Sequence, residues 1–225
     1  MVLTAILTLR HLTDNYEVIV VNDGSRDHTP LLLEELARTY PEVKIIHHKE
    51  NRGYGGALRT GIANARKNLI FYTDGDAQYD VRELEKLLPL LTEGVDMVNG
   101  YKIGRSDPFY RAILGNLYRF TTRWLFGIKL RDIDCDFRLM RRSIFDRIAL
   151  ESNSGTICVE MVKKIEAAGF NIRETPVHHY YRSYGKSQYF TFRRLFKTVL
   201  ELSVLWYKLI LRHQAFELKV TNQVL

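Results

Sequence analysis

Asp74 and Asp76 stand one residue apart in "LIFYTDGDAQYD", at the end of an apolar run that begins at Leu69. Two like charges this close raise each other's pKa unless a cation lies between them. A hard divalent ion, Mg²⁺ or Mn²⁺, relieves the conflict when one or two carboxylates hold it and substrate phosphates complete its shell. Asp-Gly-Asp also forms turns in its own right, which is the plain alternative. If strand geometry persists past Thr73, residues i and i+2 point to one side. An earlier carboxylate, Asp23 in "VNDGSRDHT", is followed by Gly24, Ser25 and Asp27. A carboxylate so placed accepts from a base N–H or a ribose hydroxyl. "NRGYGGALRTG" adds Asn51, Arg52, Gly53, Gly55 and Gly56 ahead of a helical pattern. Glycines there allow close backbone approach, and a helix N-terminus favours anions. The spacing is neither GxGxxG nor GxxxxGK[ST], so an ordinary helix entry is the competing reading.

Alternating elements must hold these residues. "EVIVV" (17–21), "VKIIHHKE" (43–50), "NLIFYT" (68–73) and "VDMVNGYKIG" (95–104) read as strands. Between them "TPLLLEELARTY", "GGALRTGIANAR" and "DVRELEKLLPLLTEG" read as helices, the first with Thr29 as N-cap and Pro30 in its first turn. The third has Leu84, Leu87, Leu88 and Leu91 at helical spacing. This order predicts an α/β fold, a mostly parallel sheet flanked by helices on both faces. Ligands bind at the carboxyl ends of such strands, where "NDGS" and "TDGD" both lie. In the second half, "FYRAILGNLYRFTTRWLFG" reads as one long basic, aromatic helix or a pair. "RDIDCDFRLMRRSIFDRI" reads as a polar turn leading into an apolar, helix-like stretch. "GTICVEMVKKIEAAGF" reads as a helix, and "NIRETPVHHYYRSYGKSQYF" as a strand and a basic loop. His178 and His179 read as strand-end residues. The expected division is a catalytic domain over 1–190 and an amphipathic helix with a tail over 191–225.

The chain has 225 residues, enough for one domain, and 33 basic against 26 acidic residues give a net charge of +7. That excess suits phosphate-bearing ligands, an anionic membrane surface or nucleic acid. Dispersed basic residues without a recognised module argue against nucleic acid. Cys135 and Cys158 form no CxxC pair and read as buried thiols of a reduced, cytoplasmic protein. The opening "MVLTAILTLRHLTDNYE" lacks a basic start and a small-residue cleavage site, so it reads as a helix and not a leader. No apolar run reaches the roughly 18–20 residues that cross a bilayer.

Taken in order, "VNDGS.D.T", "N.G.GGA...G" and "TDGDAQYD" resemble the family 2 inverting glycosyltransferases of GT-A fold, Rossmann-like transferases of nucleotide-diphospho-sugars. The nearest branch is the polyprenol-phosphate sugar transferases, including dolichol-phosphate mannose synthase. The likeness runs from about Glu17 to Gln188. It implies that Asp23 contacts the nucleoside, Asp74 lies against the nucleotide, Asp76 coordinates a Mg²⁺ or Mn²⁺ bridging the diphosphate, and Gln78 approaches the metal or sugar. Gly24, Ser25, Asp27, Asn51, Gly53 and Gly56 would complete the nucleotide-sugar pocket. "RDIDCDFRLMRR" resembles the family's acceptor loop and gives Asp132, Phe137 and Arg138, with Asp134 and Asp136 alongside. "HHYYRSYGKSQ" resembles its R-x-x-G-x-S loop and gives Arg182, Gly185, Lys186 and Ser187. The family's opening strand, with its Pro-x-Tyr-Asn-Glu pattern, has no counterpart, so a central strand is expected to be missing.

The resemblance implies transfer of a sugar, with inversion, from a donor of the UDP-glucose or GDP-mannose type to a polyprenyl or dolichyl phosphate. An ionised phosphate acceptor needs positioning, for which Arg105, Arg138, Arg182 and Lys186 are candidates. A saccharide hydroxyl acceptor instead needs a carboxylate base, Asp132 or Asp134. A non-catalytic nucleotide-sugar or membrane-binding protein is the alternative from another class. On the last helix Phe192, Phe196, Val199, Trp206 and Ile210 share a face flanked by Arg193, Arg194, Lys197, Lys208 and Arg212. Such a helix lies in a membrane interface or packs on its own domain or a second subunit. Membrane contact would be peripheral, at a cytoplasmic face.

Overall fold

The computed structural model describes residues 1–104, 109–181 and 192–212. Val2–Leu12 (α1) precedes a parallel pair, Val18–Asn22 (β1) and Val43–His47 (β2), with Thr29–Thr39 (α2) between them. Tyr54–Asn64 (α3) leads to Leu69–Thr73 (β3). Then come the short Leu84–Leu87 helix (α4), Met97–Ile103 (β4), Phe109–Phe126 (α5), Phe137–Arg141 (β5) and Ile144–Arg147 (α6). Ile157–Ala167 (α7), Ile172–His178 (β6) and Phe192–Trp206 (α8) follow, the last continued by a wider turn over Tyr207–Leu211.

The second sheet has the order β3-β5-β4-β6. Its strands alternate between two cores, as a two-residue period requires. Met97 and Met140 pair on one face with Phe126, Met161, Ile165, Leu205 and Leu209. Val98 and Leu139 pair on the other with Phe137, Leu84, Leu87 and Val177, covered by Leu9 and Leu12 of α1. Helices thus flank the sheet on both sides.

Four features differ from the sequence expectation or refine it. The stretch "FRLMR" is a strand, not the start of a helix, and it runs antiparallel to both β3 and β4. The sheet is therefore mixed, with β4–β6 its parallel pair. Burial on both faces leaves β5 without a two-residue alternation, and with Arg138 and Arg141 among its apolar residues periodicity cannot tell it from a buried helix. The expected 80–94 helix is broken into 3₁₀ turns at Val81–Glu83 and Leu88–Leu90 around α4. Pro89 lacks the N–H that a longer helix needs.

On α8 the expected face divides. Phe196 and Val199 are exposed, whereas Trp206 and Ile210 pack on the core and the Trp206 indole donates to the Leu125 carbonyl at 2.8 Å. Finally, β1 pairs with β2 and β3 with β5, but among the described residues no ladder joins β1 to β3. A break thus separates the two sheets. At one end the Glu17 carboxylate spans it, accepting from the backbone N–H groups of Arg66 at 2.6 Å and Lys67 at 3.2 Å.

Candidate active site

The end of β1 carries Asp23, whose carboxylate is largely occupied. It accepts from the N–H of Arg52 at 2.8 Å and of Gly53 at 2.9 Å, and contacts His48 Nδ1 at 2.7 Å. His48 is buried and its other ring nitrogen meets Thr60 of α3 at 2.9 Å. Asn51 donates to the Asp23 carbonyl at 3.0 Å and accepts from the Gly53 N–H at 3.2 Å. Asp23 and Asn51 therefore shape the 51–53 loop, and much of their acceptor capacity is spent within the chain. Ser25 turns on Asn22, and the Asp27 carboxylate accepts from the Thr29 N–H at 3.0 Å. The Thr29 hydroxyl, and after it that backbone N–H, hold its pKa below the usual carboxylate range. Thr29 is thus the first residue of α2 and not its cap; His28 holds the cap position without a side-chain bond, and Asp27 supports the entry from one residue further out.

Gly53 has φ +83°, and a Cβ there would lie 2.4 Å from the Asn153 carbonyl oxygen. A Cβ on Gly55 would lie 2.3 Å from the Ser152 oxygen, while its N–H donates to Asn153 O at 2.9 Å. Gly24 backs onto Asn51, and Gly56 onto the Arg52 side chain. The glycine stretch is pressed onto the 151–153 loop. That loop is held from below by Glu160, which accepts from the N–H groups of Glu151 and Ser152, both at 2.8 Å. Lys164 pairs with Glu160 at 2.8 Å and donates to Ala149 O at 2.7 Å. Both side chains are buried.

At the end of β3 the chain leaves strand geometry at Thr73. Asp76 sits in a turn in which its carboxylate accepts from the Gln78 N–H at 3.1 Å, and Ala77 takes φ 59°. Burial pushes the Asp74 carboxyl well above its ordinary value, and Asp136 and Asp76 push it further. Asp136, from the loop before β5, is reached by the Cys158 thiol at 3.3 Å and the Tyr72 hydroxyl at 3.5 Å. The Tyr54 hydroxyl, from the first residue of α3, is buried near Asp74 and Asp136 without a completed hydrogen bond. Thr73 Oγ1 is likewise buried and unpartnered. Asp80 is engaged elsewhere, in a bidentate pair with Arg82.

Among the described residues no three His, Cys, Asp or Glu side chains form a ready metal cage. The set fits a divalent ion shared with a ligand's phosphates: converging carboxylates strained by mutual repulsion, beside polar atoms lacking partners.

The "RDIDCDFR" loop packs against Lys102 of β4. Asp132 is buried and accepts from the Lys102 N–H at 3.2 Å and the Asp134 N–H at 3.3 Å. The Lys102 ammonium donates to the Asp134 carbonyl. Burial pushes the Asp134 carboxyl up to about 7, against the pull of Lys102.

Arg138 is a correction. Its guanidinium lies fully inside, donating to the carbonyls of Cys135 at 3.1 Å and of Ile133, with Tyr72 beneath it. Burial opposes its charge, but Tyr72, Cys158 and Asp136 more than restore it and raise its pKa. It folds the acceptor loop from inside and offers no donor to an acceptor phosphate.

Gln78 donates to the Tyr180 carbonyl at 3.1 Å, and Tyr180 N–H donates back to Gln78 O at 2.8 Å. The turn holding Asp76 is thereby tied to the strand end that leads into the basic loop. Arg182, Gly185, Lys186 and Ser187 of that loop, and Arg105, lie outside the described residues. His178 and His179 are strand-end residues, the first against Glu83 and the second edge-on to Tyr79. Both cysteines are free and buried. Asp74, Asp76, Asp132 and Asp134 thus gather at one end of the second sheet with Asp136. The sequence reading passed over His48, Tyr54, Lys102, Glu160 and Lys164. The His47–His48 pair at a strand end was the one visible signal among them.

A family model described as "Glycosyl transferase family 2" matches residues 1–149. Glycosyltransferase AglD of Haloferax volcanii is 30% identical over 171 residues, 73% of this chain and 27% of its own length. The undecaprenyl-phosphate 4-deoxy-4-formamido-L-arabinose transferase of Enterobacter sp. (strain 638) is 28% identical over 193 residues, 85% of this chain and 58% of its own length. The chain thus spans between a quarter and three-fifths of these relatives. Among solved structures, glucosyl-3-phosphoglycerate synthase of Mycobacterium tuberculosis with Mn²⁺ and UDP-glucose shares the fold. Its TM-score is 0.64 at 17% identity, over 91% of this chain and 72% of that one. The mannosyltransferase PcManGT of Pyrobaculum calidifontis, with GDP-mannose and Mn²⁺, gives 0.58 at 22% identity, over 95% of this chain and 65% of that one.

Proposed function

Since the chain belongs to glycosyl transferase family 2, we propose that it moves a sugar, with inversion, from a nucleotide-diphosphate donor to a polyprenyl phosphate. The observation that carries this is the convergence of Asp74, Asp76 and Asp136 beside the unpartnered Tyr54 hydroxyl. Asp74 and Asp76 would hold Mg²⁺ or Mn²⁺ together with the donor diphosphate. The ion, when bound, supplies positive charge to the departing nucleoside diphosphate.

The remaining roles fall to the chain. Asp23 and Asn51 fix the 51–53 loop, with Gly24, Ser25 and Asp27 alongside, and Gly53 and Gly56 let that loop pack closely on the 151–153 loop and on Arg52, which shapes this side of the donor pocket. Gln78 holds the metal turn against the strand end that precedes Arg182, Lys186 and Ser187. Those three residues, with Arg105, are assigned to the diphosphate and acceptor phosphate. An ionised phosphate oxygen attacks the anomeric carbon opposite the leaving diphosphate and requires no base. The lipid acceptor agrees with the net charge of +7 and with the acceptor named for the Enterobacter relative. It places the chain at a membrane surface, on the side where nucleotide sugars are available, which we take to be the cytoplasmic face.

One observation favours a second reading. A carboxyl poised at about 7, as Asp134 is, suits a general base for a saccharide hydroxyl. The pH dependence of turnover separates the two: a rise through about 7 that Asp134→Asn abolishes supports the hydroxyl acceptor. A flat profile supports the phosphate.

The first test is calorimetric titration with UDP-glucose and GDP-mannose, each with Mn²⁺ and with a chelator. The expected result is binding of one donor in the metal arm and none with chelator. Equal binding in both arms removes the metal assignment.

A further inference from the structure

Between α3 and the stretch that follows β5 the surface opens into a recess of about 880 Å³. Arg52, Arg59 and Arg142 line it, together with the apolar Ile62, Phe145 and Ile148. The three cations have donors to spare. Among the described residues the Arg52 side chain makes no hydrogen bond or ion pair. Arg59 commits one nitrogen, Nη1, to the Glu151 carbonyl at 2.8 Å and to Asn153 Oδ1 at 3.0 Å. Arg142 Nε is buried and has no acceptor. The carboxylates of the recess do not supply one. Glu50 is exposed, and Asp146 stands 3.7 Å from Arg142 Nη1, beyond hydrogen-bond reach. Arg142 follows Arg141, which pairs with Leu69 where β3 begins, whereas Asp74 follows Thr73 where β3 ends. About 15 Å of strand therefore separates this end of the recess from the carboxylate cluster. The other end reaches the 51–53 loop at Asn51 and Arg52.

We propose that this recess is an effector site for a phosphate-bearing small molecule, apart from the donor pocket, and that its occupant tightens donor binding. A guanidinium fork matches phosphate oxygens, and an anionic acceptor meets the demand of a buried N–H. The volume is that of a site for a ligand of nucleotide size. Ile62, Phe145 and Ile148 offer the body of such a ligand an apolar surface. Charge selects among occupants. A cation would meet three arginines against two carboxylates, and a neutral ligand would leave the forks unmatched. The coupling to the donor runs through Arg59. The 151–153 loop that it holds is the surface on which Gly53 and Gly55 press. A phosphate on the remaining Arg59 nitrogens would fix that side chain, and with it the loop. The effector role rests on the transferase reading, whereas the site itself uses none of that reading's carboxylates or metal.

The test is titration of the whole chain with AMP in metal-free, phosphate-free buffer, with inorganic phosphate, adenosine and polyglutamate as comparison arms. AMP should bind, adenosine should not, and salt should weaken the binding. Tighter binding of AMP than of inorganic phosphate assigns the site to a phosphate ester, and equal binding assigns it to the free ion. Arg142→Gln should lose at least about tenfold in affinity. Ala63→Trp, which fills the recess and leaves every arginine in place, should lose as much. Circular dichroism should be unchanged in both variants. With AMP saturating, donor and Mn²⁺ should bind about fivefold more tightly, and donor should tighten AMP by the same factor. Full AMP binding by both variants overturns the site. So does displacement of AMP by donor and Mn²⁺, which would put both ligands in one pocket. Binding of polyglutamate without AMP overturns it in favour of an acidic protein. Unchanged donor affinity overturns the effector role. If no donor binds, the transferase reading fails, and the AMP titration still decides the recess.

Discussion

Asp134 is a carboxyl held in a place that resists its charge, and this has two consequences of opposite sign. Its folded-state pKa of about 7 lies above the ordinary carboxylate value of about 4, so the folded chain holds the proton more tightly. The stability it contributes is fully present below the unfolded pKa and is lost as pH rises through about 7. Asp134→Asn should therefore melt higher than the parent at pH values above this window and alike below about pH 4. A melting difference that does not grow with pH would disprove the buried-acid assignment. Asp76→Asn belongs to the same scale. With its carboxylate exchanged for an amide, metal-dependent donor binding should vanish while circular dichroism is unchanged; undiminished binding rejects Asp76 as ligand. Asp76 was visible as a candidate in the sequence, because a carboxylate at the end of an apolar strand stands out by type and position; Asp134 was singled out only through the likeness of its loop, since the strand after it was hidden. Arg138 was misread for the converse reason. A charge does not reveal in sequence that backbone carbonyls five and three residues earlier will bury it.

The glycine stretch and its support act as one element. Gly55→Ala drives a Cβ to within 2.3 Å of the Ser152 carbonyl oxygen, and neither backbone has room to give. We expect a stability loss of about 1–3 kcal/mol in chemical denaturation, together with weaker donor binding. Glu160→Ala should cost more, about 3 kcal/mol, because the buried Lys164 keeps only the Ala149 carbonyl and the more distant, exposed Glu151 carboxylate at 3.6 Å. Replacing both, as Glu160→Leu/Lys164→Met, should recover much of that stability. Donor affinity should stay low, since the Glu151 and Ser152 N–H groups still lack an acceptor. Recovery of affinity along with stability would show that the loop needs packing alone. None of this was visible in sequence: the acceptor of those N–H groups lies eight or nine residues on, in a stretch that reads only as amphipathic helix. β5 was hidden in a similar way, its five residues apolar or masked as cations on both faces. The strands with turn chemistry after them, β1 and β3, were plain.

Over the whole molecule, the α/β frame could be read from alternating apolar runs. The mixed sheet could not, because strand direction depends on connections that periodicity does not encode. The two sheets divide the candidate site between them. Asp23 and the 51–53 loop follow β1 and β2, while Asp74 and Asp76 follow β3 and the 132–136 loop precedes β5 of the second sheet. Amides of β1 and β2 should exchange with deuterium well before those of β4 and β5, whose ladder is buried between two cores. Uniform protection across both sheets would contradict this. A donor whose nucleoside rests on one half and whose diphosphate rests on the other would act as a rivet across that seam. Unliganded chain should then melt in two steps, and chain saturated with donor and metal in one, so that cooperativity itself becomes a property of the bound substrate.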